Sequence, residues 1–357
     1  MKYKRLAALA AAALFASGMA NAENFLVIGG AKSKNIDAAI EAAGGTILAS
    51  YPFGVAVASS PDAGFSVPGL TVVQDVGFDV ETPAAEWAAE AGFPPNSGDD
   101  DFFFDLQWGH NYVGAQKAWD AGFRGQGVRV AVIDGGFDLD HPDLAPNINL
   151  ALSADFTGEG LQYGLPDPFS HGTHVAGTIA AADNAFGTIG VAPDAELVLL
   201  KGLRDSGSGS FADIIAAIYY AALVDVDVIN MSLGAVIPRI GSGADNAGIS
   251  ALRKAVSQAI TFAHNSGVTV VTSAGNDGSD LDGGNRSAVR FNNGLPHTVG
   301  ISALGPQNWA TYPDQDLAPS SYTNYGTSMV DFGAPGGDFI YPGNELCTVA
   351  GLTRPCW

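Results

Sequence analysis

The chain has 357 residues, with 16 Lys and Arg against 37 Asp and Glu, for a net charge of −21. An apolar content of 47% supplies a large core and excludes a disordered chain, and the length suggests about two domains at ~100–200 residues each. The negative field repels nucleic acid and anionic membrane alike, so neither is expected as a partner. Only 15% of residues are charged, so the imbalance reflects scarce Lys and Arg, and 46 glycines favour tight turns over long helical bundles.

Residues 1–22 read as a signal peptide. Lys2, Lys4 and Arg5 precede an apolar run, and Ala20-Asn21-Ala22 is a small-x-small cleavage site. The run is too short to span a bilayer and nothing later replaces it, so the product is expected to be secreted or periplasmic, without a membrane anchor. Export permits disulfides, and Cys347 and Cys356 are expected to form a local clip. Residues 23–80 alternate strand and helix patterns: strands at 25–28, 46–49, 54–58 and 70–73, and a helix at 35–43. They form a small α+β module. Residues 81–104 carry Pro94-Pro95, Asn96-Ser97-Gly98 and Asp99 to Asp101, and read as an exposed linker open to cleavage.

Residues 105–357 change character. Apolar strands at 128–133, 197–200, 226–231 and 268–272 are separated by helices at 171–182, 211–223 and 247–265. Strands apolar on both faces and spaced by helices predict an α/β fold of three layers, with a parallel sheet covered on both sides. Ligands of such sheets bind at the carboxyl ends of the strands. Asp134 closes the first strand, His171 opens a helix, and Asn276 follows the last strand. Each alone reads as a cap or turn residue. Together they suit acyl transfer: a carboxylate to orient an imidazole, and an amide aimed at a developing oxyanion.

The surrounding segments are Gly127-Val128-Arg129-Val130-Ala131-Val132-Ile133-Asp134, His141-Pro142-Asp143-Leu144, His171-Gly172-Thr173-His174-Val175-Ala176-Gly177-Thr178, Gly190-Val191-Ala192-Pro193, Asn230-Met231-Ser232-Leu233-Gly234 and Ala274-Gly275-Asn276. In this order they resemble the subtilisin-like serine proteases. The resemblance implies Asp134 as orienter, His171 as general base and acid, Asn276 as oxyanion donor, and His174 as a structural packing residue. Ser232, Leu233 and Gly234, with Ala274 and Gly275, would line the cleft and pair with a peptide substrate. Residues 23–80 resemble the family's inhibitory propeptide, the chain's own cleft partner. A monomeric endopeptidase acting on proteins or peptides follows. Where the family has Thr or Ser after the Asp, this chain has Gly135, which removes one hydroxyl donor to the carboxylate.

Ser328 lies in Gly326-Thr327-Ser328-Met329, the opening of the family's nucleophile motif. The chain then runs Val330-Asp331-Phe332-Gly333-Ala334-Pro335-Gly336, a strand and turn instead of a helix, matching the family segment upstream of the nucleophile. Ser328 is therefore expected to be a decoy, the peptidase domain C-terminally incomplete, and the nucleophile outside this chain. An inactive fragment or pseudoprotease that binds peptides is the alternative. The resemblance also implies a structural calcium held by Asp143, Asn184 and the carbonyls of Ala182, Phe186 and Thr188, with Gln107 as a sixth group; no catalytic cofactor is expected. Asp138, Asp140, His141, His171 and His174 offer a weaker alternative, a transition-metal hydrolase.

Overall fold

In a computed structural model the described residues are 22–30, 33, 35–79, 91–92, 100–166, 170–238, 246–283, 288–291, 294–306, 317–338, 346–349 and 352–355. The signal segment up to residue 21, most of the linker and Cys356 lie outside them.

The N-terminal module contains β1 (Glu23–Ile28), α1 (Ile36–Ala42), β2 (Thr46–Tyr51), β3 (Val55–Ser60) and β4 (Thr71–Gln74), in a sheet of order β2-β3-β1-β4. A further strand, β5 (Gly77–Asp79), leaves this sheet. The larger unit contains β6 (Arg129–Asp134), β7 (Ala154–Asp155), α2 (His171–Ala180), β8 (Glu196–Lys201), β9 (Ser208–Ser210), α3 (Phe211–Leu223) and β10 (Val228–Met231). It continues with α4 (Asn246–Asn265), β11 (Thr269–Ser273), β12 (Thr298–Pro306), β13 (Leu317–Pro319) and β14 (Phe332–Pro335).

The main sheet has the order β13-β12-β11-β10-β6-β8-β7, with β14 also on β12, and only the β12–β13 pair is antiparallel. Period-2 alternation sorts its side chains. Val130 and Val132 of β6 join Leu197 and Leu199 of β8 under Val175, Ala176 and Ala180 of α2. Ala131, Ile133, Val198 and Leu200 face the opposite way, onto Ile214, Ile215 and Ile218 of α3 and Leu252, Val256 and Ile260 of α4. This is the expected three-layer α/β arrangement. The chain leaves β6 toward β7 and β8, then returns past it to β10, so the crevice at the carboxyl end of β6 is a topological switch point.

The predicted helix at 171–182 stops at Ala180. Ala181 is extended, and Gly190 lies so close that a Cβ there would sit 2.5 Å from the Ala180 nitrogen. The linker is also shorter than expected, because Asp101 and Phe104 are buried. The Phe103 N–H donates to Gly187 O at 2.6 Å and the Asn184 N–H to Asp101 at 3.4 Å, which ties the end of the acidic run to the 182–188 loop.

Both faces of the N-terminal sheet are covered. Phe25 and Val27 pack on Ile36 and Ile40 of α1, whereas Leu26, Ile28, Val55 and Val57 belong to the core of α3 and α4. Gln258 of α4 donates to Phe53 O at 3.0 Å, and Asp75 accepts from the Phe211 and Ala212 N–H groups at the start of α3. Burial, then the neighbouring Asp213, push the Asp75 carboxyl up to about 7 against the pull of these donors. The packed state therefore favours neutral Asp75. Its contribution is full below 3.8, the ordinary value, and is lost as pH rises to about 7. We expect Asp75→Asn to flatten the decline in thermal midpoint over that interval; an unchanged slope against pH contradicts this.

Candidate active site

The site gathers where parallel strands end. Asp134 is the last residue of β6 and is 1% exposed. Gly202 and Leu203 N–H groups both donate to its carbonyl, which pins the backbone and aims the side chain out of the sheet edge. His171 is the first residue of α2, whose start is capped by Ser170. Its Nδ1 lies 2.8 Å and 3.0 Å from the two Asp134 carboxylate oxygens. An ionised carboxylate only accepts, so Nδ1 carries the proton and Nε2 is left to take one. Gly135 supplies a backbone N–H to Asp134 Oδ1 at 2.7 Å, which meets part of the need created by the missing hydroxyl.

The other predicted residues line the same edge. Ser232, Leu233 and Gly234 follow β10. Ser232 Oγ accepts from Asn230, and Leu233 is buried with its carbonyl held by Ser273 Oγ at 3.2 Å. Ala274 is fixed by its N–H to Ile301 O at 2.7 Å, and Gly275 has φ +98°. Asn276, half-buried, comes next. Asn324 holds this turn and was not singled out by the sequence. It is 1% exposed, donates to Ala274 O at 2.9 Å and accepts the Ser279 N–H at 2.8 Å. A Cβ on Gly275 would sit 2.5 Å from its Nδ2, so glycine is required there for space as well as for φ.

Strand β9, also missed, explains where β5 goes. β5 pairs antiparallel with β9, Phe78 opposite Gly209, and the Phe78 ring lies 5.2 Å from that of Phe211. The N-terminal module thus adds a strand beside the site.

Ser328 sits elsewhere, in an exposed turn. Its Oγ and N–H both donate to Asp282 Oδ1, while Thr327 donates twice to Oδ2. Those four bonds hold the Asp282 carboxyl well below the usual range. A strand, β14, follows this turn, where the family's nucleophile motif would call for a helix.

The pattern of the Subtilase family matches residues 125–356. The intracellular serine protease of Paenibacillus polymyxa is 37% identical over 251 residues, covering 70% of this chain and 69% of that protein. The chain belongs to the subtilase family. Subtilisin E of Bacillus subtilis strain 168 is 39% identical over 204 residues, 57% of this chain, and the match spans about half of that relative, 48%. The epidermin leader peptide processing serine protease of Staphylococcus aureus shares the fold at a TM-score of 0.63 and 19% identity, covering 90% of this chain and 76% of that one. A solved lanthipeptide protease is similar at a TM-score of 0.53 and 27% identity, with 72% of each chain covered.

Subtilases commonly bind calcium, and the residues here fit such an ion. Asp143 is 3% exposed and its Oδ1 is buried with no hydrogen-bond partner among the described residues. Its Oδ2 accepts the Thr188 N–H at 3.0 Å, and Gly187 leaves no room for a Cβ beside it. Gln107 Nε2 donates to Ile189 O and its Oε1 accepts the Ile189 N–H, at 2.9 Å each, which leaves one lone pair on that oxygen. Asp100, Asp101 and Asp183 bring carboxylate oxygens within 4.8 Å of one another beside the same loop, with Arg124 paired to Asp183. They form the sole such cluster among the described residues, so Asp138, Asp140, His141, His171 and His174 do not gather as a transition-metal site. His174 is also corrected. The buried stripe of α2 runs through Gly172, Val175, Ala176 and Ala180, which turns His174 to the exposed face.

Burial lowers the His171 pKa, but the hydrogen bond and charge of Asp134 outweigh it and the net shift is upward. The imidazolium–carboxylate contribution to stability is therefore full below about 6.5 and lost as pH rises through the higher folded midpoint. In an NMR titration we expect the His171 midpoint above ~6.5 and a clear fall in Asp134→Asn; an unshifted parent midpoint contradicts the pairing.

Proposed function

We propose that this subtilase is the precursor of a secreted serine endopeptidase acting on proteins or peptides. The observation that carries the reading is the two-oxygen contact of Asp134 with His171 Nδ1 at the carboxyl edge of a parallel sheet. In the proposed mechanism Asp134 holds the imidazole with Nε2 free to accept the nucleophile's proton. His171 then returns that proton to the leaving amine. Asn276 donates to the oxyanion, and residues 232–234 and 274–275 pair with the substrate backbone.

On this reading residues 23–80 are the inhibitory propeptide, with the maturation cut in the linker that follows. β5 added to β9, and the sheet seated on α3 and α4, support it. Residues 1–22 direct export and Cys347 pairs with Cys356. Among the described residues no helix is long and apolar enough to cross a membrane. Calcium would be held by Asp143 and its loop, with Asn184 and the carbonyls of Ala182, Phe186 and Thr188, and would brace that loop. Chelation by EDTA should then lower the thermal midpoint, with calcium restoring it; an unchanged midpoint overturns the ion.

The nucleophile, on this proposal, comes from a segment outside these 357 residues. Ser328 is engaged by Asp282, and the outer face of α2 adjoins a cavity of about 460 Å³ lined by Trp108, His110, His141, His174 and Pro335. The same observations favour, as the second reading, a peptide-binding product without catalysis.

A serine-directed phosphonate probe separates the readings. We expect these 357 residues to remain unlabelled and a longer product of the same gene to be labelled on a serine of a Gly-Thr-Ser-Met-Ala-x-Pro motif. In that product Asn276→Ala should lower kcat by about 10²–10³-fold. Labelling of Ser328 contradicts the decoy assignment. A longer product that remains unlabelled favours the peptide-binding reading.

A further inference from the structure

We propose that Ser170 is a positioning residue for the base, its hydroxyl holding the first turn of α2 against the Asp134–Gly136 turn so that His171 meets Asp134. The inference rests on the proposed catalytic pairing of Asp134 with His171. Ser170 is 5% exposed. Its Oγ donates to Gly136 O at 2.5 Å and accepts from the Thr173 N–H at 3.1 Å and from Thr173 Oγ1 at 2.8 Å. Thr173 Oγ1 in turn accepts the Asp138 N–H at 2.8 Å. The chain of bonds therefore runs from the helix start to two points just downstream of Asp134, Gly136 and Asp138.

Two contacts then cross side by side between the same segments. Ser170 reaches Gly136, and His171, one residue on, reaches Asp134, two residues back. Each bond removes slack from the other. The approach is tight enough to exclude a side chain: a Cβ on Gly172 would lie 2.8 Å from Phe137 Cε1 and 3.1 Å from Gly136 O. With glycine at position 135, no side-chain hydroxyl next to Asp134 steadies the carboxylate. The Ser170 bridge acts on the turn through its backbone instead.

A plain helix cap accounts for the Thr173 N–H bond but not for the donation to Gly136, and the two roles can be separated. Glycine is nearly as good an N-cap as serine, yet it has no hydroxyl to donate. Threonine keeps both functions. The groups facing His171 are the Asp134 carboxylate from β6 and, on its own helix, His174, and neither is altered by these changes.

The test is an NMR titration of the His171 imidazole in the full chain, for the parent, Ser170→Gly and Ser170→Thr, with thermal midpoints measured alongside. We expect Ser170→Gly to unfold close to the parent while its His171 midpoint falls by about half a pH unit, roughly threefold in the protonation equilibrium. Ser170→Thr should keep the parent's value. If Ser170→Gly does not fold, Ser170→Ala supplies the same comparison. A raised parent midpoint that is unchanged in the folded Gly or Ala variant overturns the positioning role alone. A parent midpoint at the free-imidazole value overturns the Asp134–His171 pairing, and this inference with it.

Discussion

The site depends on one hydrogen bond joining a strand end to a helix start. Asp134 is nearly inaccessible, and a buried carboxylate is costly unless its oxygens are satisfied. His171 and the Gly135 N–H supply its bonds. The rest of the fold brings these groups together. The parallel sheet delivers Asp134, Ser232 and Ala274 to one edge, because parallel strands all finish on the same side. α2 packs its small-residue stripe on that sheet and sets His171 over the edge. Subtilase chemistry is then a matter of which side chains occupy these termini.

The N-terminal module is tied to the same framework by different forces. Apolar side chains of its sheet complete the core of α3 and α4, Asp75 meets the start of α3, and β5 extends β9. The apolar contact is broad and insensitive to pH, whereas Asp75 is a single group whose preferred state is neutral. A module attached in this way can be held firmly and still respond to pH at one position.

Much of this was legible in the sequence, for physical reasons. Apolar residues on both faces of β6 and β8 can only belong to a covered parallel sheet, and the helices between them follow. Asp134 and His171 were legible because the motif residues sit at element termini. What escaped was long-range or context-dependent. Residues 208–210 drew no expectation from the sequence, and they become a strand by pairing with β5. Asn324 acts on a turn far back in the chain, through a close approach to Gly275 that no spacing rule reveals. The three aspartates at 99–101 read as solvated linker, whereas Asp101 is drawn inside by the loop that holds Asp143. His174 lies one turn on from His171 and on the same side of α2, but it is exposed instead of packed, because the buried stripe runs through Val175 and Ala176.

The central claim is that Asp134 fixes His171 as a proton acceptor facing the cleft. The most direct measurement is the tautomeric state of His171 from its ring ¹⁵N shifts, in the full chain above its titration midpoint. The account predicts a protonated Nδ1 and an unprotonated Nε2, a state that is lost in Asp134→Ala. A proton resident on Nε2, or a tautomer indifferent to the Asp134 substitution, would contradict it.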